Sequence, residues 1–138
     1  MSQAMRISSW MIAAAMLAGL TTALVGCQEH KPQPRQTPAQ LQDRLANARG
    51  IGSNDVRDQA LHDIAVDAAA SRVGDVAVTA TSSIGNAKMR DDTAEQAAKI
   101  LDDHSDRASA ERVVQLMSDS SRRDAMRSYL ASRAPSAR

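Results

Sequence analysis

The chain has 138 residues, one domain's worth, with 17 basic and 16 acidic side chains and a formal net charge of +1. Twenty-six residues are Ala, against one Trp, one Tyr and no Phe. A near-neutral balance gives no general attraction to nucleic acid, and a chain so poor in aromatic faces has nothing on which bases could stack. Scarce β-branched and aromatic residues point to an all-α protein rather than a sheet.

The N-terminal stretch reads as an address. Arg6 gives a positive start, Ile7 to Leu20 is uncharged and mostly apolar, and small and β-branched residues lead to Leu24-Val25-Gly26-Cys27. Ile7–Gly26 is about long enough to span a bilayer, but it holds Ser8, Ser9, Thr21, Thr22 and two Gly, and no basic stop-transfer cluster follows. Leu24-Val25-Gly26-Cys27 resembles the lipobox of bacterial lipoproteins. The resemblance implies cleavage between Gly26 and Cys27, removal of residues 1–26, and acylation of the Cys27 thiol, which anchors the chain in a lipid bilayer. It also accounts for the lone Cys, which can form no internal disulfide in an exported chain. Gln28 follows Cys27 where an Asp would favour inner-membrane retention, so the resemblance favours the outer membrane, on its periplasmic face. The processed chain would carry 16 bases and 16 acids.

Gln28–Pro38 contains Pro32, Pro34 and Pro38 among Gln, Lys and Arg, with no apolar residue. Such a segment has nothing to bury, and with Cys27 it reads as an extended tether reaching roughly 30 Å at ~3.1 Å per residue. Residues 134–138 read as a fraying tail.

Between these ends the sequence repeats with a period of about 33 residues. Val56-Arg57-Asp58 returns as Met89-Arg90-Asp91 and again as Arg122-Arg123-Asp124, and Ile51-Gly52-Ser53 as Ile84-Gly85-Asn86 and Met117-Ser118-Asp119. A leading helix over Ala39–Arg49 carries Leu41, Leu45 and Ala48. Val56, Ala60, Leu61, Ile64, Ala65 and Ala68 then form a helical stripe with steps of three and four. Ser53 or Asn54 is placed to cap it, and Asp55 and Asp58 to complement its positive end. Gly74-Asp75 reads as a turn into a second helix bearing Val76, Ala77, Ala80 and Ile84, which Gly85 would end by its permissive backbone. The next unit repeats this with Met89, Thr93, Ala94, Ala97, Ala98 and Leu101, then Ala110, Val113, Val114 and Met117. A trailing helix at about Arg122–Arg133 bears Met126, Tyr129 and Leu130. The leading helix matches the second half of a unit, and the trailing helix the first half.

With Asp58 and Asp91 opening their units, residues 39–133 resemble a degenerate tetratricopeptide-type array. The family's small positions fall on Ala65, Ala77, Ala98 and Ala110, and large apolar ones on Leu61 and Ile64. Its aromatic positions hold Ala68, Thr81, Leu101 and Val114, its late Pro position holds Met89 and Arg122, and the period is one residue short. The implied fold is a short right-handed array of αα-hairpins; the alternative is a small helical bundle. Few residues after the leader are Val, Leu, Ile, Met or Tyr, so a thin core and marginal stability are expected.

Little in the chain suggests catalysis. It has no Gly-rich phosphate loop, no G-x-S-x-G, no H-E-x-x-H, and no thiol left free if Cys27 is acylated. His62 stands with Asp58 and Asp63, and Asp102-Asp103-His104-Ser105-Asp106 is the densest acidic run. The latter lacks the Gly and terminal Glu of a calcium loop and reads as a turn in which Ser105 or Asp106 caps the next helix. The reading is of a protein that is not an enzyme and uses no metal or cofactor. In arrays of the kind it resembles, ligands lie along the first helix of each unit. That implies a partner-binding face of Gln59, His62, Asp92, Glu95, Lys99, Asp102 and Asp103, whose four acids against one base suit a basic or amide-rich peptide. The expected function is a membrane-anchored adaptor that binds a protein or peptide. The alternative is a structural envelope lipoprotein forming homo-oligomers through apolar residues off the stripes, such as Val66, Val78 and Ile100.

Overall fold

The computed structural model describes residues 35–133. The leader with Leu24-Val25-Gly26-Cys27, the tether to residue 34 and the tail from 134 lie outside the described residues.

Six helices account for the array: α1 (Pro38–Arg49), α2 (Asn54–Ala70), α3 (Gly74–Ser83), α4 (Ala87–Asp103), α5 (Arg107–Val114) and α6 (Ser120–Arg133). No strand occurs among the described residues. α2 packs on α3 and α4 on α5 as hairpins, while α2–α4–α6 and α1–α3–α5 run as two layers side by side. Each second-layer helix also touches the first-layer helix that follows it, α1 on α2, α3 on α4 and α5 on α6. The result is an all-α hairpin array that opens on a second-layer helix and ends, among the described residues, on a first-layer one.

Helix ends are set locally. Thr37 and Gln40 form a reciprocal capping box with Pro38 as the first helical residue, so α1 starts one residue inside the Pro-rich segment. Asn86 caps α4 through the Met89 N–H, and Asp106 caps α5 through the Ser109 N–H. α2 and α4 end alike. Arg72 and Ser105, one period apart, both adopt φ 63°, and Val73 and Asp106 return their N–H groups to the Ala68 and Leu101 carbonyls. These are left-handed Schellman turns at positions usually held by Gly.

The core is built from few large side chains, chiefly Leu41, Leu45, Leu61, Ile64, Leu101, Val113 and Leu130, with Ala65, Ala77, Ala80, Ala94, Ala98 and Ala110 completely buried between them. Alanine at the crossings lets the helix axes approach. Gly74 carries this furthest: it is the first residue of α3 rather than a turn, and a Cβ there would lie 2.5 Å from Ser109 Cβ on α5. The turn the sequence places at Gly74-Asp75 falls instead at Ser71–Val73. Gly85 likewise has no positive φ, and α3 ends with Ile84 extended. Val56, expected on the buried stripe, is 57% exposed because no helix lies over the first turn of α2.

The recurring Arg-Asp pair explains the period. Asp58 is buried, and its carboxylate accepts from two consecutive N–H groups, Gly85 at 3.1 Å and Asn86 at 2.7 Å. Asp91 does the same with Ser118 at 2.7 Å and Asp119 at 2.9 Å. Arg90 and Arg123 reach backwards to the Ile84 and Met117 carbonyls. Arg90 and Asp91 together therefore tie α4 to the loop before it and the loop after it, while Arg57 pairs with Asp58 itself. Asp58 is thus a buried acceptor rather than a surface complement to the helix dipole. Burial alone would raise its pKa, but the Gly85 and Asn86 N–H groups and Arg57 outweigh burial and hold the carboxyl below its ordinary value.

Replacing Asp91 by Ala strips two charge-assisted acceptors from loop N–H groups and is expected to cost roughly 2–4 kcal/mol by chemical denaturation. The same change at the exposed equivalent Asp124 should cost less than about 0.5 kcal/mol. Because the Asp58 pKa is lowered on folding, its contribution should be whole above the unfolded carboxylate value of about 3.9 and vanish as pH falls through the folded one. Ser105→Gly relieves the left-handed backbone and should raise stability by about 0.5–1 kcal/mol, read as a higher melting temperature.

Candidate functional site

α2 presents one flank towards α1 and the other towards α4, and an open cleft lies on each side of its outer face. The first is lined by Gln36, Arg44, His62, Asp63, Val66 and Asp67, and the second by Gln59, His62, Asn86, Lys88, Met89 and Asp92. They share His62 as a wall residue, and the two together are termed the trough. The first has a volume of about 580 Å³, within the range of small-molecule sites, but it is open and polar where such sites are enclosed and apolar.

The first cleft is assembled by tertiary contact. Gln36 donates from its backbone N–H to Ser71 Oγ (3.3 Å) and from Nε2 to Asp67 (3.1 Å), and Arg44 of α1 pairs with Asp67 at 2.7 Å. The last residues before α1 are thereby pinned to the end of α2. In the second cleft His62 is fixed from below. The Thr93 hydroxyl donates to the Met89 carbonyl at 2.7 Å, so its oxygen must accept from His62 Nδ1 at 2.8 Å. That assigns the ring proton to Nδ1 and leaves Nε2 without a partner among the described residues. Gln59 donates to Asp63 at 3.0 Å.

Of the residues read as a binding face, Gln59, His62 and Asp92 line the trough. Glu95, Lys99, Asp102 and Asp103 do not: they lie on the side of α4 that meets α6. Arg122 of α6 bridges Asp92 and Glu95 with one guanidinium, both contacts at 2.8 Å. Lys88 and Lys99 complete the pairs, with Lys99 also 6.0 Å from the Tyr129 ring centroid. Arg133 spans Asp102 and Asp103, and Arg107 holds Asp102 from the other side. The four acids are therefore neutralised within the molecule. The expected excess of acid over base fails because folding brings Arg122 and Arg133 across from α6.

These pairs shift their carboxylates in a consistent direction. Lys88 and Arg122 hold Asp92 below its ordinary value, and Arg122 and Lys99 do the same for Glu95, while Glu95 and Asp92 raise Arg122. Each is partly exposed, so the seam stabilises only modestly. Among the described residues no three His, Cys, Asp or Glu side chains gather to hold a metal ion.

Sequence reasoning missed Gln36, Arg44, Asp67, Asn86, Lys88 and Met89 as site residues, and it named Asp63 only beside His62 and Val66 only as a self-association contact. Asn86, Lys88 and Met89 sit at unit boundaries, where the repeat register could have pointed to them. Gln36 and Arg44 reach α2 only through the α1 packing, which leaves no local signal. No family model, curated protein or solved structure matches this chain.

Arg122→Ala should lower stability by less than about 1 kcal/mol at pH 7. Asp92 and Glu95 have lowered folded pKa values, so this difference should be whole above the unfolded carboxylate range and shrink as pH falls through the folded values. Denaturant titrations of both proteins at neutral and acid pH read it directly.

Proposed function

We propose that the chain is a lipid-anchored envelope protein, favouring the outer membrane, whose helical array is a non-enzymatic binding module for an extended segment of another protein. The observation that carries the binding reading is the pair of open clefts flanking α2, both lined by His62. Its polar groups suit a peptide main chain. Gln36, Gln59 and Asn86 offer both donors and acceptors, the Nδ1-bound proton of His62 leaves Nε2 as an acceptor, and Val66 and Met89 supply apolar contact. The neutral seam between α4 and α6 moves the proposed binding surface from the acids of α4 to this trough.

The anchor rests on the likeness of Leu24-Val25-Gly26-Cys27 to a lipobox. Diacylglyceryl modification would hold the chain firmly, since each buried CH₂ contributes ~0.8 kcal/mol. The tether would then set the array off the bilayer. Gln36 is held to the end of α2 by its backbone N–H and its side-chain amide.

Two measurements test the reading. Intact mass of the protein extracted from bacterial membranes should show loss of residues 1–26 and added acyl mass, and Cys27→Ser should retain residues 1–26 and gain none; an unprocessed parent refutes the anchor. A photo-crosslinking residue at position 66 should give one reproducible protein adduct that weakens with His62→Ala, while the same probe at exposed Arg112 on α5 gives none. Identical adducts from both positions refute the trough.

A further inference from the structure

We infer that copies of this chain associate head to tail, α6 of one copy seating against α1 and α2 of the next, so that α6 and the neighbouring α1 complete a hairpin. The inference stands independently of the trough and its ligand. The repeat itself supplies the template. Asp58 and Asp91 each grip two N–H groups of the following loop. Asp124 is the third member of that series, yet its side chain is 71% exposed and, among the described residues, pairs only with Arg127 in its own helix. At the opposite edge, the N–H groups of Gly52 and Ser53 stand one period before those of Gly85 and Asn86, and they meet no acceptor among the described residues. One edge has the acceptor and the other has its donors.

The flanking positions match in the same register. Leu61 and Ala94 are buried against the second helix of their own hairpins, whereas their equivalent Arg127 is exposed. Val76 and Ser109 are buried in turn, whereas their equivalent Asp43 on α1 is exposed and without an ion-pair partner among the described residues. Arg127 on one edge and Asp43 on the other are thus polar residues at positions that are buried elsewhere in the repeat, and they carry opposite charges.

Val56 is matched too. Its equivalents Met89 and Arg122 meet the preceding first-layer helix, Met89 beside His62 and Arg122 on Glu95. The corresponding residue on α6 is Ser128, small and uncharged, as an apolar neighbour requires. A contact between unlike edges is not two-fold symmetric and leads to open chains, or to rings where the rotation closes, rather than to two-fold dimers.

The test is sedimentation equilibrium of the full chain in density-matched detergent over a range of concentrations. Chance sharing of micelles is the same for all variants, so differences report the protein contact. The parent should grow past two copies. Asp124→Asn should move association to at least tenfold higher concentration with an unchanged circular dichroism spectrum. A parent that stays single, growth that stops at two copies, or an Asp124→Asn variant that associates like the parent overturns the proposal.

Discussion

A carboxylate buried beneath a helix and satisfied by two consecutive backbone N–H groups leaves little geometric freedom. Asp58 and Asp91 each impose this arrangement, and most of the array follows from it. The two N–H groups belong to the loop that opens the next unit, so the carboxylate sets both the distance and the direction from one first-layer helix to the next. A charged acceptor left without these donors would carry its full desolvation cost, so the loop and the helix hold each other in place. Arg90 and Arg123 act in the opposite sense, returning to the Ile84 and Met117 carbonyls at the end of the previous unit. A protein with so few large apolar side chains thus uses polar groups to define its repeat, while its alanines allow close packing.

The same economy shapes the helix junctions. Arg72 and Ser105 accept a left-handed backbone because the Schellman turn returns two N–H groups to the ends of α2 and α4. Gly74 gives α3 and α5 an approach that no side chain permits. These features depend on backbone geometry rather than on hydrophobic content, which is why an Ala-rich sequence still specifies definite crossings.

The helical class, the period and the half-hairpins at either end were legible in the sequence, because they depend on the spacing of Leu41, Leu61, Ile64, Leu101 and Leu130 and on the returning Arg-Asp pair. The purpose of that pair was not. Asp58 looked like a helix-start acid, and only the tertiary path of the Gly85-Asn86 loop shows it to be a buried acceptor. The candidate site was half legible. Gln59 and His62 on α2 and Asp92 on α4 could be grouped through the repeat resemblance, Asp92 standing one period after Gln59, but Arg122 and Arg133 reach the α4 acids from a distant helix. Val56 misled because it fits the stripe by spacing, although stripe membership does not ensure that a neighbour lies over the first turn.

The central claim is that buried Asp58 and Asp91 lock the loops between units. Amide hydrogen exchange tests it at single residues, because Ser118 and Asp119 are exposed residues in the loop between α5 and α6 and would exchange quickly if their N–H groups faced only water. The account predicts that both amides, with those of Gly85 and Asn86, are protected to the same degree as the interiors of α2 and α4. Exchange of these four amides at the rate of an open loop, with the helices still protected, would contradict it.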